Sequence, residues 1–145
     1  MTLAYAWSPT ENRLAVSCQG IWLIREQGQP EQVVKAVPEV APRIAWSPDG
    51  KQLAYSLTLP YAQEELQNRS DALYTLDVLT GNSVKHLVTP AGIGLVAWWP
   101  DSKGLLYWEV PGRGASEASD GVDFCSFQIG DKEPHHLSAG LTDQN

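Results

Sequence analysis

Cysteine is scarce in this chain, with Cys18 and Cys125 the two in 145 residues, and the count leaves the redox compartment open. Positive charge is scarce too: ten Lys and Arg against seventeen Asp and Glu, net −7, with no run of either sign. Without a basic patch nothing neutralises phosphates, so nucleic acid is excluded as a partner class. Diffuse acidity of this kind serves solubility. No stretch approaches the roughly 20 apolar residues of a membrane helix, which excludes insertion by that route. No apolar stripe at helical spacing persists for three turns, which excludes a helical domain. Residues 1–7 lead directly into an alternating apolar segment, without the charged start and apolar stretch of a secretory leader. What remains is 43% hydrophobic, with six Trp and five Tyr. That is ample for a packed core and too apolar for disorder.

The residues present are organised by a repeat. Ala-Trp-[Ser/Trp]-Pro occurs at 6–9, 45–48 and 97–100. Asp49-Gly50-Lys51-Gln52-Leu53-Ala54-Tyr55-Ser56 follows the second copy, and Asp101-Ser102-Lys103-Gly104-Leu105-Leu106-Tyr107-Trp108 follows the third. The first copy continues as Thr10-Glu11-Asn12-Arg13-Leu14-Ala15-Val16-Ser17 at the same spacing. Each reads as a strand ending in Trp, a tight turn opened by Pro, and a second strand.

A second hairpin follows each time. Ile21–Arg25 turns at Gly28 into Gln32–Val34; Leu73–Asp77 turns at Gly81 into Val84–Val88; Phe124–Phe127 turns near Gly130 into His135–Ser138. The expectation is all-β: three units of four antiparallel strands, over about 3–36, 43–89 and 94–139. Trp7 and Trp46 are 39 residues apart, Trp46 and Trp98 52. The first spacing is close to the 40–45 residues of one propeller blade. The second carries an insertion, Leu57 to Asp71, between strands two and three. Pro111 to Gly121 is a matching insertion in the third unit, so both project from one side. Gly92-Ile93-Gly94 reads as the linker into the third unit.

Trp46-Ser47-Pro48-Asp49-Gly50-Lys51-Gln52-Leu53-Ala54-Tyr55 resembles the signature of the TolB-like propeller repeat, and Leu73–Val78 through Gly81 resembles its second half. The resemblance is strongest over 43–88 and departs from the pattern at Thr10-Glu11 and Trp99. Trp-Asp, which marks the WD class, does not occur. The resemblance implies a six-bladed propeller and an extracytoplasmic setting, periplasm or cell surface. Its members include the propeller of the Tol–Pal envelope system and propellers screening the active site of prolyl-oligopeptidase-type enzymes.

Propellers close with four to eight blades, and three would leave an apolar face open at each end. The expected completion is a homodimer closing a six-bladed ring, or further blades of a longer chain. The functional expectation is a non-enzymatic scaffold for a protein or peptide partner. One alternative is the gating propeller of a larger hydrolase; another is a structural propeller of an envelope or surface layer.

No catalytic, metal or cofactor set is expected. Gly114-Ala115-Ser116-Glu117-Ala118 lacks the last Gly and the helix of a nucleophile elbow. Asp120 and Asp123 offer too few oxygens for calcium. His86 and His136 read as equivalent rim positions exposed to water. Trp7, Trp46 and Trp98 read as inter-blade packing, and the two Cys, in different repeats, as buried free thiols. The candidate binding residues are Tyr61, Glu64, Glu65 and Arg69 of the first insertion, Arg113 of the second, and the non-repeating Trp99 and Trp108. Tyr61–Leu66 has the composition of a helical turn.

Overall fold

The computed structural model describes residues 4–35, 43–59, 70–90, 92–110 and 123–137. These form twelve strands: β1 (Ala4–Trp7), β2 (Arg13–Ser17), β3 (Ile21–Arg25), β4 (Glu31–Val34), β5 (Ile44–Trp46), β6 (Gln52–Leu59), β7 (Ser70–Asp77), β8 (Ser83–Thr89), β9 (Gly92–Trp98), β10 (Gly104–Val110), β11 (Asp123–Gln128) and β12 (His135–His136). They pair as three four-stranded antiparallel sheets, β1–β4, β5–β8 and β9–β12, each a simple meander.

The motif turns close alike in all three sheets. Ser8, Ser47 and Trp99 each donate a backbone N–H to the carbonyl five residues on, at 2.8–2.9 Å. In the second turn Gly50 N–H also reaches the Ser47 carbonyl at 2.8 Å. The Asp49 carboxylate accepts from the Ser47 hydroxyl and the Lys51 N–H, which hold its pKa below the usual value. Gly50 has φ +74°, and a Cβ there would overlap the Thr10 hydroxyl of the first turn. The left-handed backbone favours glycine, although Ser102 holds φ 62° at the same place in the third turn, and the close approach to Thr10 excludes a side chain at Gly50. Asp49 N–H donates to Ser102 Oγ at 3.1 Å, linking the second turn to the third.

Successive sheets stack through β1, β5 and β9, which lie side by side. Strand alternation gives every sheet two faces. Pairing puts Ala15, Ser17, Ile21 and Leu23 on the face of the first sheet that meets the second. Leu53, Tyr55 and Leu76 meet it from the second sheet, with Trp46 between. The next junction joins Ala54 and Leu73 to Val96, Leu105, Tyr107, Cys125 and Phe127. Each sheet therefore has a leading face, turned to the sheet before it, and a trailing face, turned to the sheet after it.

The motif Trp is the peg of each junction. Trp46 Nε1 donates to the Ala6 carbonyl, and Trp98 Nε1 to the Ala45 carbonyl, both at 2.9 Å. Arg13, itself buried and paired with Glu11, stacks over the Trp46 ring at 5.6 Å. Trp7 makes no such junction within the single chain. Among the described residues no sheet packs on its side of the first sheet, and it is 65% exposed where Trp46 is 8% exposed.

Three expectations about chain path change. Residues 57–59 and 70–71 extend the β6–β7 hairpin (Leu57↔Ala72, Thr58↔Asp71, Leu59↔Ser70), so the first insertion narrows to 60–69. Residues 92–94 are the start of β9 rather than a linker; Ile93 is buried, and its N–H donates to Asp71 Oδ2 at 2.8 Å. His86 and His136 are not equivalent. His136 pairs with Cys125 as Lys85 pairs with Tyr74, and His86 falls in a β-bulge opposite Leu73/Tyr74. The same bulge recurs in the first sheet opposite Ile21/Trp22.

Candidate interaction surface

Both ends of the stack present side chains that the interior junctions would bury. The leading face of the first sheet carries Tyr5, Trp7, Leu14, Val16, Trp22 and Ile24, by the pairings Tyr5↔Val16, Trp7↔Leu14, Val16↔Trp22 and Leu14↔Ile24. Tyr5 is 67% exposed, and Ile24 is exposed as well. Trp22 is anchored by its Nε1, which donates to the Cys18 carbonyl at 2.9 Å.

The trailing face of the third sheet carries Ala97, Leu106, Trp108, Phe124 and Ser126. Trp108 is half-buried and meets Phe124 edge-on at 5.5 Å between ring centroids. Its indole N–H is buried without a hydrogen-bond partner among the described residues. Trp99 is half-buried too, and its Nε1 donates to Ser126 Oγ at 3.0 Å. In the second sheet Ser47 caps its own turn through Asp49 and Gln52 N–H. Trp99 has no such hydroxyl and lies across the strands instead.

Trp99 and Trp108, both expected as binding aromatics, thus share one face. They stand towards opposite ends of β10, Trp99 at the motif turn and Trp108 beside the connection to β11. Tyr61, Glu64, Glu65, Arg69 and Arg113, and the helical turn expected at 61–66, lie outside the described residues. The connections 60–69 and 111–122 both join the second strand of a sheet to the third, so they leave from corresponding ends.

The histidines and thiols have definite surroundings. His86, expected at a wet rim, is half-buried in the second junction. Its Nε2 is 2.7 Å from Thr75 Oγ1, and its ring is 5.5 Å from that of Phe127. Burial holds its pKa below the ordinary 6.5. The bulge that turns it inward has no sequence signal of its own. His135 and His136 are exposed. Cys125 is fully buried, its thiol 3.9 Å from Glu109 Oε1 and 3.5 Å from His136 Nδ1, whereas Cys18 is only half-buried. A thiol closed off from solvent meets no substrate. Among the described residues no group of three or more His, Cys, Asp and Glu is arranged to hold a metal ion, and no helix is long and apolar enough to cross a membrane.

No family model and no curated protein matches this chain. Solved structures do. TolB from Acinetobacter baumannii superposes with a TM-score of 0.68 at 18% identity, over 94% of this chain and 32% of its own. The tricorn protease gives 0.71 at 15% identity, over 97% and 15%. The β-propeller domain of the Trilobed protease from Pyrococcus furiosus gives 0.52 at 23% identity, over 86% and 35%. The fold is that of a β-propeller. Its sheets are blades, with β1, β5 and β9 the innermost strands and β4, β8 and β12 the outermost. At these identities the likeness carries the fold alone, and the chain spans about a third or less of each of these proteins.

Proposed function

We propose that these three blades are a TolB-like section of a propeller acting as a non-enzymatic protein-interaction scaffold. One observation carries the reading. The side chains that recur from blade to blade are spent on assembly: Trp46 and Trp98 on the preceding Ala carbonyl, the turn residues on one another. Variation is left to the connections 60–69 and 111–122, and long loops on a rigid scaffold commonly carry binding. In this reading Tyr61, Glu64, Glu65, Arg69 and Arg113 contact a protein or peptide. Trp99 and Trp108 lie on the trailing face of the third blade and are not part of that patch.

The test is selection of binding peptides from a displayed library on the immobilised chain. A variant with 60–69 and 111–122 replaced by short Gly-Ser turns serves as the comparison. The scaffold reading expects the selected peptides to lose at least tenfold in affinity on the variant. Equal binding to both proteins would overturn it.

A second reading, a propeller gating the active site of a larger prolyl-oligopeptidase-type hydrolase, is favoured by the proteases among the structural matches. It requires a Ser, Asp and His set encoded elsewhere in a longer chain. Under it, replacing the two connections alters peptide entry to that site rather than binding to the blades.

A further inference from the structure

The two interior junctions follow one rule of size at one register position. Ser17 and Ser56 stand at the same place on successive trailing faces, set by Ser17↔Ile21 and Ser56↔Leu73. Both are buried, and each shares its junction with a large ring on the following leading face, Tyr55 and Tyr107 respectively. Each junction thus has a small residue at this register on its trailing side and a large one on its leading side.

At the open ends this rule is inverted on both sides. Trp108 occupies the Ser17/Ser56 position on the last trailing face, by Trp108↔Phe124. Val16 occupies the Tyr55/Tyr107 position on the first leading face, by Leu14↔Ile24 and Val16↔Trp22. A large residue thus stands at the trailing position and a smaller one at the leading position, flanked by Tyr5 and Trp22. The peg also continues. Among the described residues Trp7 has no motif Ala of an earlier blade to bond, and no indole is bonded to the carbonyl of Ala97, the motif Ala that follows Ala6 and Ala45.

We propose that the first blade of a second copy of this chain docks on the third blade, seating Trp7 on the Ala97 carbonyl and Trp108 over Val16. The proposal rests on the propeller reading and not on the scaffold reading. Made twice about a two-fold axis, the contact closes a ring of six blades, within the four to eight of closed propellers. The interface is continuous in chemistry with the two junctions already inside the chain. It covers the exposed Tyr5, Trp7 and Ile24 together, a cluster of a kind that monomers rarely leave open.

The test is sedimentation of the 145-residue chain, with three variants, across a hundredfold range of concentration. Wild type is expected as one species of twice the 15.9 kDa chain mass. Trp7→Arg changes a side chain that is exposed in the single chain and should give monomer. Val16→Tyr restores the residue that both other blades carry there, so the blade keeps its fold, but the ring now meets Trp108 and the dimer weakens at least tenfold. Adding Trp108→Ser rebuilds the interior rule and returns the dimer. A wild-type monomer, a ladder of masses growing with concentration, or a dimer indifferent to Val16→Tyr would each overturn the closure. So would a Val16→Tyr monomer that Trp108→Ser does not rescue. Peptide binding by the connections is independent of these masses, so the two proposals fail separately.

Discussion

Trp7 and Trp46 open the same motif, end the same kind of strand and face the same way, yet one is 65% exposed and the other 8%. The difference lies in what stands before each. Trp46 has the first blade, the Ala6 carbonyl for its indole N–H and Arg13 over its ring. Trp7 has none of these. A repeat motif therefore specifies half of a junction, and burial of that half depends on the neighbour that supplies the other.

The sharpest way to break the comparison is to truncate each Trp. Trp46→Ala should cost about 3–5 kcal/mol, the usual loss for a large buried aromatic, at every protein concentration in urea unfolding. Trp7→Ala should act only through self-association. Its effect on the melting temperature should fade on dilution, since stability gained by assembly depends on concentration. Equal, concentration-independent losses at the two positions would show that they are not different in kind.

The second effect in size concerns the turns. Gly50→Ala forces a side chain into the left-handed region and against Thr10, so a loss of about 1–3 kcal/mol is expected. Gly81 has a similar φ, +80°, but nothing lies within 4 Å of its added Cβ. Gly81→Ala should therefore cost less than Gly50→Ala, and parity between them would remove the inter-turn contact from the account.

The indole hydrogen bond is smaller. Trp98→Phe keeps a ring in the second junction but leaves the Ala45 carbonyl without its donor. A loss of about 1–3 kcal/mol for the unsatisfied group, plus some packing, should appear in the urea midpoint. The corresponding Trp7→Phe should leave the midpoint of the dissociated chain unchanged.

The smallest expected effect is that of pH on the second junction. Because burial depresses the His86 pKa, the unfolded chain takes up its proton more readily than the folded one. The His86 contribution is complete above pH 6.5 and is lost as pH falls below that value. Denaturation midpoints measured from pH 7.5 to 5.5 should show this fall, and His86→Gln should flatten it.

Much of the fold was legible because pattern and packing agree. The Trp, the Pro turn and the alternating second strand read as a hairpin, and β1–β2, β5–β6 and β9–β10 are that hairpin. Less visible were features set by a neighbour rather than by local sequence. The bulge that swings His86 inward needs two strands in register to exist. The β6–β7 hairpin grows by three pairs because Leu57, Thr58 and Leu59 find partners from 70 to 72. The swap of Val16 and Trp108 could be seen as two departures from the repeat, but their relation needs the faces assigned. Of the expected binding set, only Trp99 and Trp108 fall among the described residues, and the blade separates them end from end.

The most direct measurement of the account is deuterium exchange at the indole N–H groups, followed by NMR on the wild type and on the Val16→Tyr variant. The account predicts slow exchange at Trp46 and Trp98 in both proteins, and exchange at Trp7 that is slow in the wild type and fast in the variant. Fast exchange at Trp46 and Trp98 would contradict docking of each blade through its motif tryptophan, and fast exchange at Trp7 in the wild type would contradict closure by a second copy.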